Sequence, residues 1–244
     1  MLLGVAHIPA VFIPKGFAHG FISLGGEKMS KTRGNILDPR AMAALFGPDG
    51  IRYLLLREVP FDKDGDISLE HIVNRYNADL ANELGNLFSR TAAMIEKYLG
   101  GVVVETAYGP GNELYGDLAA ALDGYREHMD RMEFSRALGA FWTIVQRANR
   151  FIEEKQPWVL AKDETRRDEL SAVFVELLAV LTASGTALSP FMPERMNEML
   201  DWLGTGGLGI DDLPPTMVGA KDLAAPKPLF PRLQGDPEEL IGGS

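Results

Sequence analysis

The sequence contains no cysteine, which excludes disulfide bonds and thiolate metal ligands. Its four histidines, His7, His19, His71 and His128, follow no metal-ligand spacing, so we expect no metal site in this chain. The apolar opening residues lack a basic n-region and a cleavage site, and no later stretch of membrane-spanning length is free of charges. The sequence therefore predicts a cytoplasmic protein that does not bind a membrane.

Basic residues are too few to attract a polyanion over long distances. Residues 1–100 carry 11 Lys and Arg and 11 Asp and Glu, so the net charge of −10 falls entirely on residues 101–244. Any nucleic-acid binding must then depend on a local patch and on stacking. The 244 residues are 46% hydrophobic, which is enough for a substantial core and predicts two compact units.

The first 66 residues mix strand and helix patterns. Short apolar runs alternate with turn residues over 11–24, which predicts strands. Asp38-Pro39 and Gly47 carry the start and stop signals of one helix, and a second helical run follows at Ile51–Val59. The acidic, glycine-containing stretch Asp62–Asp66 breaks the helical pattern and indicates a domain boundary.

Residues 67–203 show long helical periods. Apolar residues recur at three- and four-residue intervals along a first helix that ends at Gly100-Gly101, namely Ile72, Tyr76, Leu80, Leu84, Leu87, Ile95 and Leu99. Further amphipathic runs predict helices over 113–129, 134–154, 165–187 and 193–203. Short connections favour antiparallel neighbours, so the fold class is mainly α with a helical bundle, followed over 204–244 by an extended Gly- and Pro-rich tail on its surface.

The segment from Gly25 to Asn35 carries the clearest chemical signal. Three cations and two hydroxyls lie within six residues and are flanked by glycines, a composition that suits the polyphosphate of a nucleotide. The short pattern alone fits a solvated basic turn equally well.

The longer string Lys28-Met29-Ser30-Lys31-Thr32 resembles the second signature loop of the class I aminoacyl-tRNA synthetases. Thr32 stands where that family commonly has Ser, and a hydroxyl is retained. The resemblance implies an ATP-binding loop in which Lys28 and Lys31 contact the phosphates and stabilise the adenylation transition state, and Ser30 holds the loop. ATP, with Mg²⁺, would be a substrate.

Several later segments resemble the methionine-specific branch of that family, namely Arg52–Pro60, Asp64–Asp66, Tyr76–Leu87, Ser189–Pro193 and Leu229–Arg232. The resemblance extends from about Ile13 to Arg232. It implies that residues 1–66 form the end of a class I nucleotide-binding α/β domain with a small connecting fold, that residues 67–203 form an anticodon-binding bundle, and that residues 204–244 pack on it as a tail.

Four residues are candidates for contacting RNA. Asn82, Asn86 and Arg90 are spaced at i, i+4 and i+8, so they form one column that can hydrogen-bond unstacked bases, although the spacing alone fits a solvated polar face. Trp158 follows Pro157 at a break between helices, where an indole can stack on a base or fill the core. The resemblance implies that all four bind the anticodon of methionine tRNA, with Trp158 on its first base.

The other class I signature, His-Ile-Gly-His, is absent, and His7-Ile8-Pro9-Ala10 shares only two letters with it. We therefore expect the chain to be an expression fragment, a truncated reading frame or one piece of a split enzyme. Its partner would be the missing N-terminal catalytic half, and the isolated chain would be inactive as a ligase. Three functions remain open: part of a methionine–tRNA ligase, a stand-alone tRNA-binding module without catalysis, and a helical scaffold. Lys28 and Lys31 favour the first, because RNA binding alone does not require them.

Overall fold

The computed structural model describes residues 22–24, 26–28, 38–59, 64–221, 223 and 226–235. The helices are α1 (Pro39–Glu58), α2 (Leu69–Arg75), a π-helical segment (Tyr76–Gly85), α3 (Asn86–Leu99), α4 (Tyr115–Asp130), α5 (Phe134–Lys155), α6 (Pro157–Leu160), α7 (Arg167–Leu188) and α8 (Pro193–Leu203). Single 3-10 turns lie at Glu164–Arg166 and Ile210–Asp212. The strands are β1 (Ile22–Leu24), β2 (Glu27–Lys28), β3 (Gly65–Ile67), β4 (Val103–Ala107) and β5 (Met217–Ala220).

A small sheet in the order β2-β1-β3 precedes the bundle. β1 pairs antiparallel with β2 and parallel with β3. The hydroxyl of Ser23 donates to Asp66 Oδ1 at 2.6 Å, and the backbone N–H of Gly26 donates to the same oxygen at 2.8 Å. Both hydrogen bonds, with that of Ser23 the stronger, lower the pKa of Asp66. The acidic stretch therefore ends inside the sheet. The strands predicted before residue 22 lie outside the described residues.

Helix α1 confirms the two predicted helical runs and the break between them. Asp38 caps the first turn by accepting a hydrogen bond from the N–H of Arg40 at 2.9 Å, and Pro39 occupies the first helical position. Gly47 interrupts the helix with φ 72° and ψ 161°. Because a side chain is strained at that φ, glycine is the residue suited to this kink.

The first bundle helix differs from the prediction, because a ten-residue π-helical segment separates α2 from α3. All seven predicted apolar positions are buried, including the four at the start of the row, Ile72, Tyr76, Leu80 and Leu84. In a regular α-helix each four-residue step overshoots a full turn by about 40°, so a row at that spacing drifts around the helix. Within the wider π turn a four-residue step falls short of a full turn, which offsets the drift of the flanking α-helical turns and keeps the row on the core side.

The remaining helices confirm the predicted bundle and surround α7. This helix packs against α3, α5, α6 and α8. The region Glu164–Leu188 is long and apolar enough to cross a membrane, but 89% of its apolar window is buried inside the protein, which identifies it as a core helix. Its buried Glu176 accepts hydrogen bonds from the N–H groups of Glu113 and Leu114 at 2.6 and 3.0 Å and so fixes the start of α4.

The tail contains a strand that the sequence did not predict. β5 pairs antiparallel with β4, and a Cβ on Gly219 would lie only 2.6 Å from the Cα of Glu105. Further along, Leu229 and Phe230 are buried and the side chain of Asn77 contacts the backbone of Leu233. This part of the tail is therefore packed against the first bundle helix.

Candidate nucleic-acid interface

The three residues of the predicted polar column lie at the junction of the π-helical segment and α3. Asn82 belongs to the π-helical segment, Asn86 is the first residue of α3, and Arg90 follows on the next turn. Asn82 and Asn86 are exposed, and across the described ranges their amide groups have no hydrogen-bond partner. Both amides are therefore accessible to a ligand.

Arg90 is held by an ion pair to the neighbouring helix. Its Nη2 atom lies 2.7 Å from Oε1 of Glu153, which is in the last turn of α5. The side chains are 33% and 60% exposed, so the pair is a surface ion pair in contact with water. A base or phosphate that contacts the guanidinium must compete with this carboxylate.

A second contact between the same helices lies next to Asn82. The amide nitrogen of Asn149 on α5 donates to the carbonyl oxygen of Glu83 at 3.2 Å and to its carboxylate at 3.0 Å. Burial is the main cause that raises the pKa of Glu83, and the hydrogen bond from Asn149 acts in the opposite direction. Helix α5 thus lies beside the column at two points, Asn149 with Glu83 and Glu153 with Arg90.

Trp158 lies just after the end of the same helix α5. Gln156 ends α5 in the left-handed conformation, with φ 45° and ψ 62°, and its N–H donates to the carbonyl of Ile152 at 3.0 Å. Its own carbonyl accepts from the N–H of Val159 at 2.7 Å. Pro157 then begins α6, and the half-buried indole of Trp158 packs against the core. An uncommon backbone conformation thus fixes where the indole leaves the helix.

The π-helical segment is also tied to α1 through a buried carboxylate. The hydroxyl of Tyr53 donates to Asp79 Oδ2 at 2.6 Å, and the guanidinium groups of Arg57 and Arg75 lie 3.7 and 3.6 Å from the carboxylate. Burial raises the pKa of Tyr53 well above its ordinary value, and the charge of Asp79 acts in the same direction. Tyr53 therefore remains protonated and acts as a donor.

The predicted ATP-binding loop is only partly covered by the structure. The backbone of Lys28 ends β2, opposite Ser23 of β1. Met29, Ser30, Lys31 and Thr32 lie outside the described residues. Over the ranges that the structure does describe, no group of three or more His, Asp or Glu side chains could hold a metal ion.

The partners of the column were not identified from the sequence. Asn149 and Glu153 are spaced at i and i+4 on α5, so a shared face could have been inferred. Nothing in the sequence indicates that this face lies against Glu83 and Arg90, because these contacts join residues more than sixty positions apart.

Comparison with known proteins identifies the family. A family model described as tRNA synthetases class I (M) matches residues 5–92, and one described as the anticodon binding domain of methionyl tRNA ligase matches residues 104–233. The class of protein is therefore that of the class I aminoacyl-tRNA synthetases. Because the second match alone covers more than half of the chain, the chain belongs to the methionyl-tRNA synthetase family. The family predicted from the sequence is confirmed, and it is a family of aminoacyl-tRNA ligases.

The similar proteins are considerably longer than this chain. The chain is 46% identical over 194 residues to a methionine–tRNA ligase of Caldanaerobacter subterraneus, a match that covers 78% of this chain and 30% of the relative. It is 40% identical over 239 residues to that of Oceanobacillus iheyensis, covering 92% and 34%. Mycobacterium tuberculosis methionyl-tRNA synthetase in complex with methionyl-adenylate superposes with a TM-score of 0.78 at 38% identity, covering 88% of this chain and 43% of that one. The chain thus spans about a third of the length of the curated relatives.

Proposed function

We propose that this chain supplies the ATP-phosphate loop and the anticodon-recognition surface of a methionine–tRNA ligase. The reaction joins methionine, ATP and tRNA to give methionyl-tRNA, AMP and pyrophosphate. Family membership supports the reaction, and the arrangement of Asn82, Asn86 and Arg90 beside the helix that leads to Trp158 supports the RNA contacts. That arrangement is the observation on which the anticodon assignment depends.

The four residues offer the chemistry that single-stranded RNA requires. The exposed amides of Asn82 and Asn86 can donate to and accept from base edges, and Arg90 supplies a planar cation. Trp158 offers an aromatic face for stacking on the first anticodon base. The partner that fits these groups is the anticodon loop of methionine tRNA.

The ATP-phosphate loop rests on the family resemblance of residues 28–32. Lys28 and Lys31 would contact the phosphates of ATP, bound with Mg²⁺ as substrate, and would stabilise the charge that develops during adenylation. Met29, Ser30 and Thr32 complete the loop. The methionyl-adenylate in the similar M. tuberculosis structure is the product of that step and supports this assignment.

The proposed enzyme needs parts that the described residues do not contain. A catalytic half with the His-Ile-Gly-His motif would hold methionine and the rest of ATP, and residues 1–66, 67–203 and 204–244 would form the catalytic remnant, the bundle and the tail. We infer a cytoplasmic location, because this family acts in translation. The isolated chain should not catalyse methionine-dependent ATP–pyrophosphate exchange.

The RNA assignment is tested by the affinity of the chain for an anticodon stem-loop. Trp158→Ala removes the stacking face and should weaken binding by about 1–3 kcal/mol. Arg90→Ala should also weaken it. The control is Arg131→Ala, since Arg131 is an exposed, ion-paired arginine just before the opposite end of α5. If all three variants lose affinity equally, these residues do not form the RNA surface.

The ATP assignment is tested in the enzyme completed by its catalytic half. Lys31→Ala should reduce the rate of adenylation much more than it weakens methionine binding, because the lysine acts on charge formed in the transition state. An unchanged rate would assign residues 28–32 to a solvated turn. It would also favour the alternative function, a stand-alone tRNA-binding module without catalysis.

A further inference from the structure

The backbone that carries Asn82 has an uncommon geometry that its neighbours must maintain. π-helical segments are rare and usually short, and the one here extends over ten residues. Its wide turn brings the backbone of Leu80 close to Gly85. A Cβ added to Gly85 would lie 2.8 Å from the carbonyl oxygen of Leu80. A segment of this kind depends on tertiary contacts, since an α-helix is the favoured alternative.

One such contact is made by residues 226–235 of the tail, which we call the strap. The Asn77 side chain binds the strap backbone at two points. Its Oδ1 accepts from the N–H of Leu233 at 2.9 Å, and its Nδ2 donates to the carbonyl of Leu233 at 3.0 Å. Both polar groups of one backbone residue are thereby satisfied, as they would be by a neighbouring strand.

Apolar packing accompanies these hydrogen bonds. Phe230 is 5% exposed and meets the ring of Tyr76 edge to face, with the centroids 6.3 Å apart. A Cβ on Gly85 would lie 3.9 Å from the Cβ of Phe230, so the strap contacts both ends of the π-helical segment. The strap therefore contacts the segment at its first residue and at its last.

We propose that Asn77 is a positioning residue that, by fastening the strap, sets the direction of Asn82 relative to Asn86 and Arg90. Asn82 lies between Asn77 and Gly85, within the segment whose two ends the strap contacts. If the segment relaxed towards an α-helix, the side chains within it would rotate against those of α3, by roughly 100° for each residue of register. Asn82 would then point in a different direction relative to Asn86 and Arg90. This inference rests on the proposed RNA contacts.

The test compares Asn77→Ala with Asn74→Ala in the full 244-residue chain. Asn74 is an exposed asparagine on α2 and makes no hydrogen bond with the described part of the protein. The probe is a synthetic RNA stem-loop with a CAU anticodon, and binding is followed by fluorescence anisotropy. Asn77→Ala should weaken binding about 3- to 10-fold, the equivalent of one hydrogen bond to a base, and Asn74→Ala should leave it unchanged.

A double-mutant cycle separates positioning from general stability. In an Asn82→Ala background the effect of Asn77→Ala should disappear, because the group that Asn77 positions is already absent. Asn77→Asp keeps the oxygen that accepts from the N–H of Leu233 and loses the N–H donor. Its affinity for the stem-loop should therefore lie between those of the wild type and Asn77→Ala. If circular dichroism shows that Asn77→Ala unfolds, Asn77→Asp replaces it in the cycle.

Equal loss in both backgrounds, or no loss in a folded variant, would overturn the proposal. Failure of the wild-type chain to bind the stem-loop would instead refute the proposed function on which it rests.

Discussion

Replacing Glu153 by glutamine should strengthen RNA binding, because the carboxylate of Glu153 forms an ion pair with the Arg90 guanidinium and competes with RNA for it. The pair is 2.7 Å long, but its side chains are 33% and 60% exposed. An exposed ion pair of this kind contributes about 0.2–1 kcal/mol. RNA that contacts the Arg90 guanidinium competes with this pair, so Glu153→Gln should lower the Kd of the anticodon stem-loop by a factor of up to about 5.

The matched control is Glu154→Gln, which removes the same charge from the neighbouring position. Glu154 pairs with Arg147 at 2.9 Å and is 51% exposed, so its environment is comparable. Removing either carboxylate reduces the repulsion of the RNA phosphates and so raises affinity in both variants. Only Glu153→Gln also releases Arg90 from its ion pair. The measured quantity is therefore the ratio of the two Kd values.

Salt dependence gives an independent check on the same variant. Because an exposed ion pair is screened by added salt, the advantage of Glu153→Gln over Glu154→Gln should shrink between low and high ionic strength. Anisotropy titrations at two salt concentrations measure this difference. If the two variants bind equally well at low salt, or if Glu153→Gln binds more weakly than the wild type, Arg90 does not contact the RNA.

Two further predictions concern the stability of the π-helical segment. Tyr53→Phe removes the hydroxyl that donates to the buried carboxylate of Asp79, so it should lower the free energy of unfolding, measured by urea denaturation, by about 1–3 kcal/mol. A smaller effect would mean that Arg57 and Arg75 satisfy the carboxylate alone. Gly85→Ala places a Cβ 2.8 Å from the Leu80 carbonyl oxygen and should lower the melting temperature, whereas Gly116→Ala, in open space on α4, should leave it unchanged or raise it. A neutral Gly85→Ala would show that the wide turn is not maintained in solution.

The helices were predictable because hydrophobic periodicity is a local property of the sequence. The predicted ranges for α5 and α8 differ from the observed bounds by at most one residue. Asp38 caps the start of α1 and Gly47 interrupts the helix, at the positions that the sequence indicated. These features depend on neighbouring residues only.

Most of the features that escaped prediction depend on residues far apart in the sequence. β4 and β5 were missed because β4 is almost entirely exposed, with no alternation, and its partner lies more than one hundred residues away. The π-helical segment was missed because its apolar spacing also fits an irregular α-helical row. The ion pair of Arg90 with Glu153 joins two helices, and no local sequence pattern predicts how those helices are oriented to each other.

The acidic composition and the geometry of the proposed RNA surface lead to the same physical conclusion. Residues 101–244 carry the whole net charge of −10, and Arg90 is paired with a carboxylate. Long-range attraction therefore contributes little to RNA binding at this surface. Under the proposed assignment, affinity comes from contacts of short range, namely stacking on Trp158 and hydrogen bonds to Asn82 and Asn86. Hydrogen bonds to base edges depend on the identity and position of each base, so a surface that relies on them without excess positive charge favours discrimination between anticodons over general attraction to RNA.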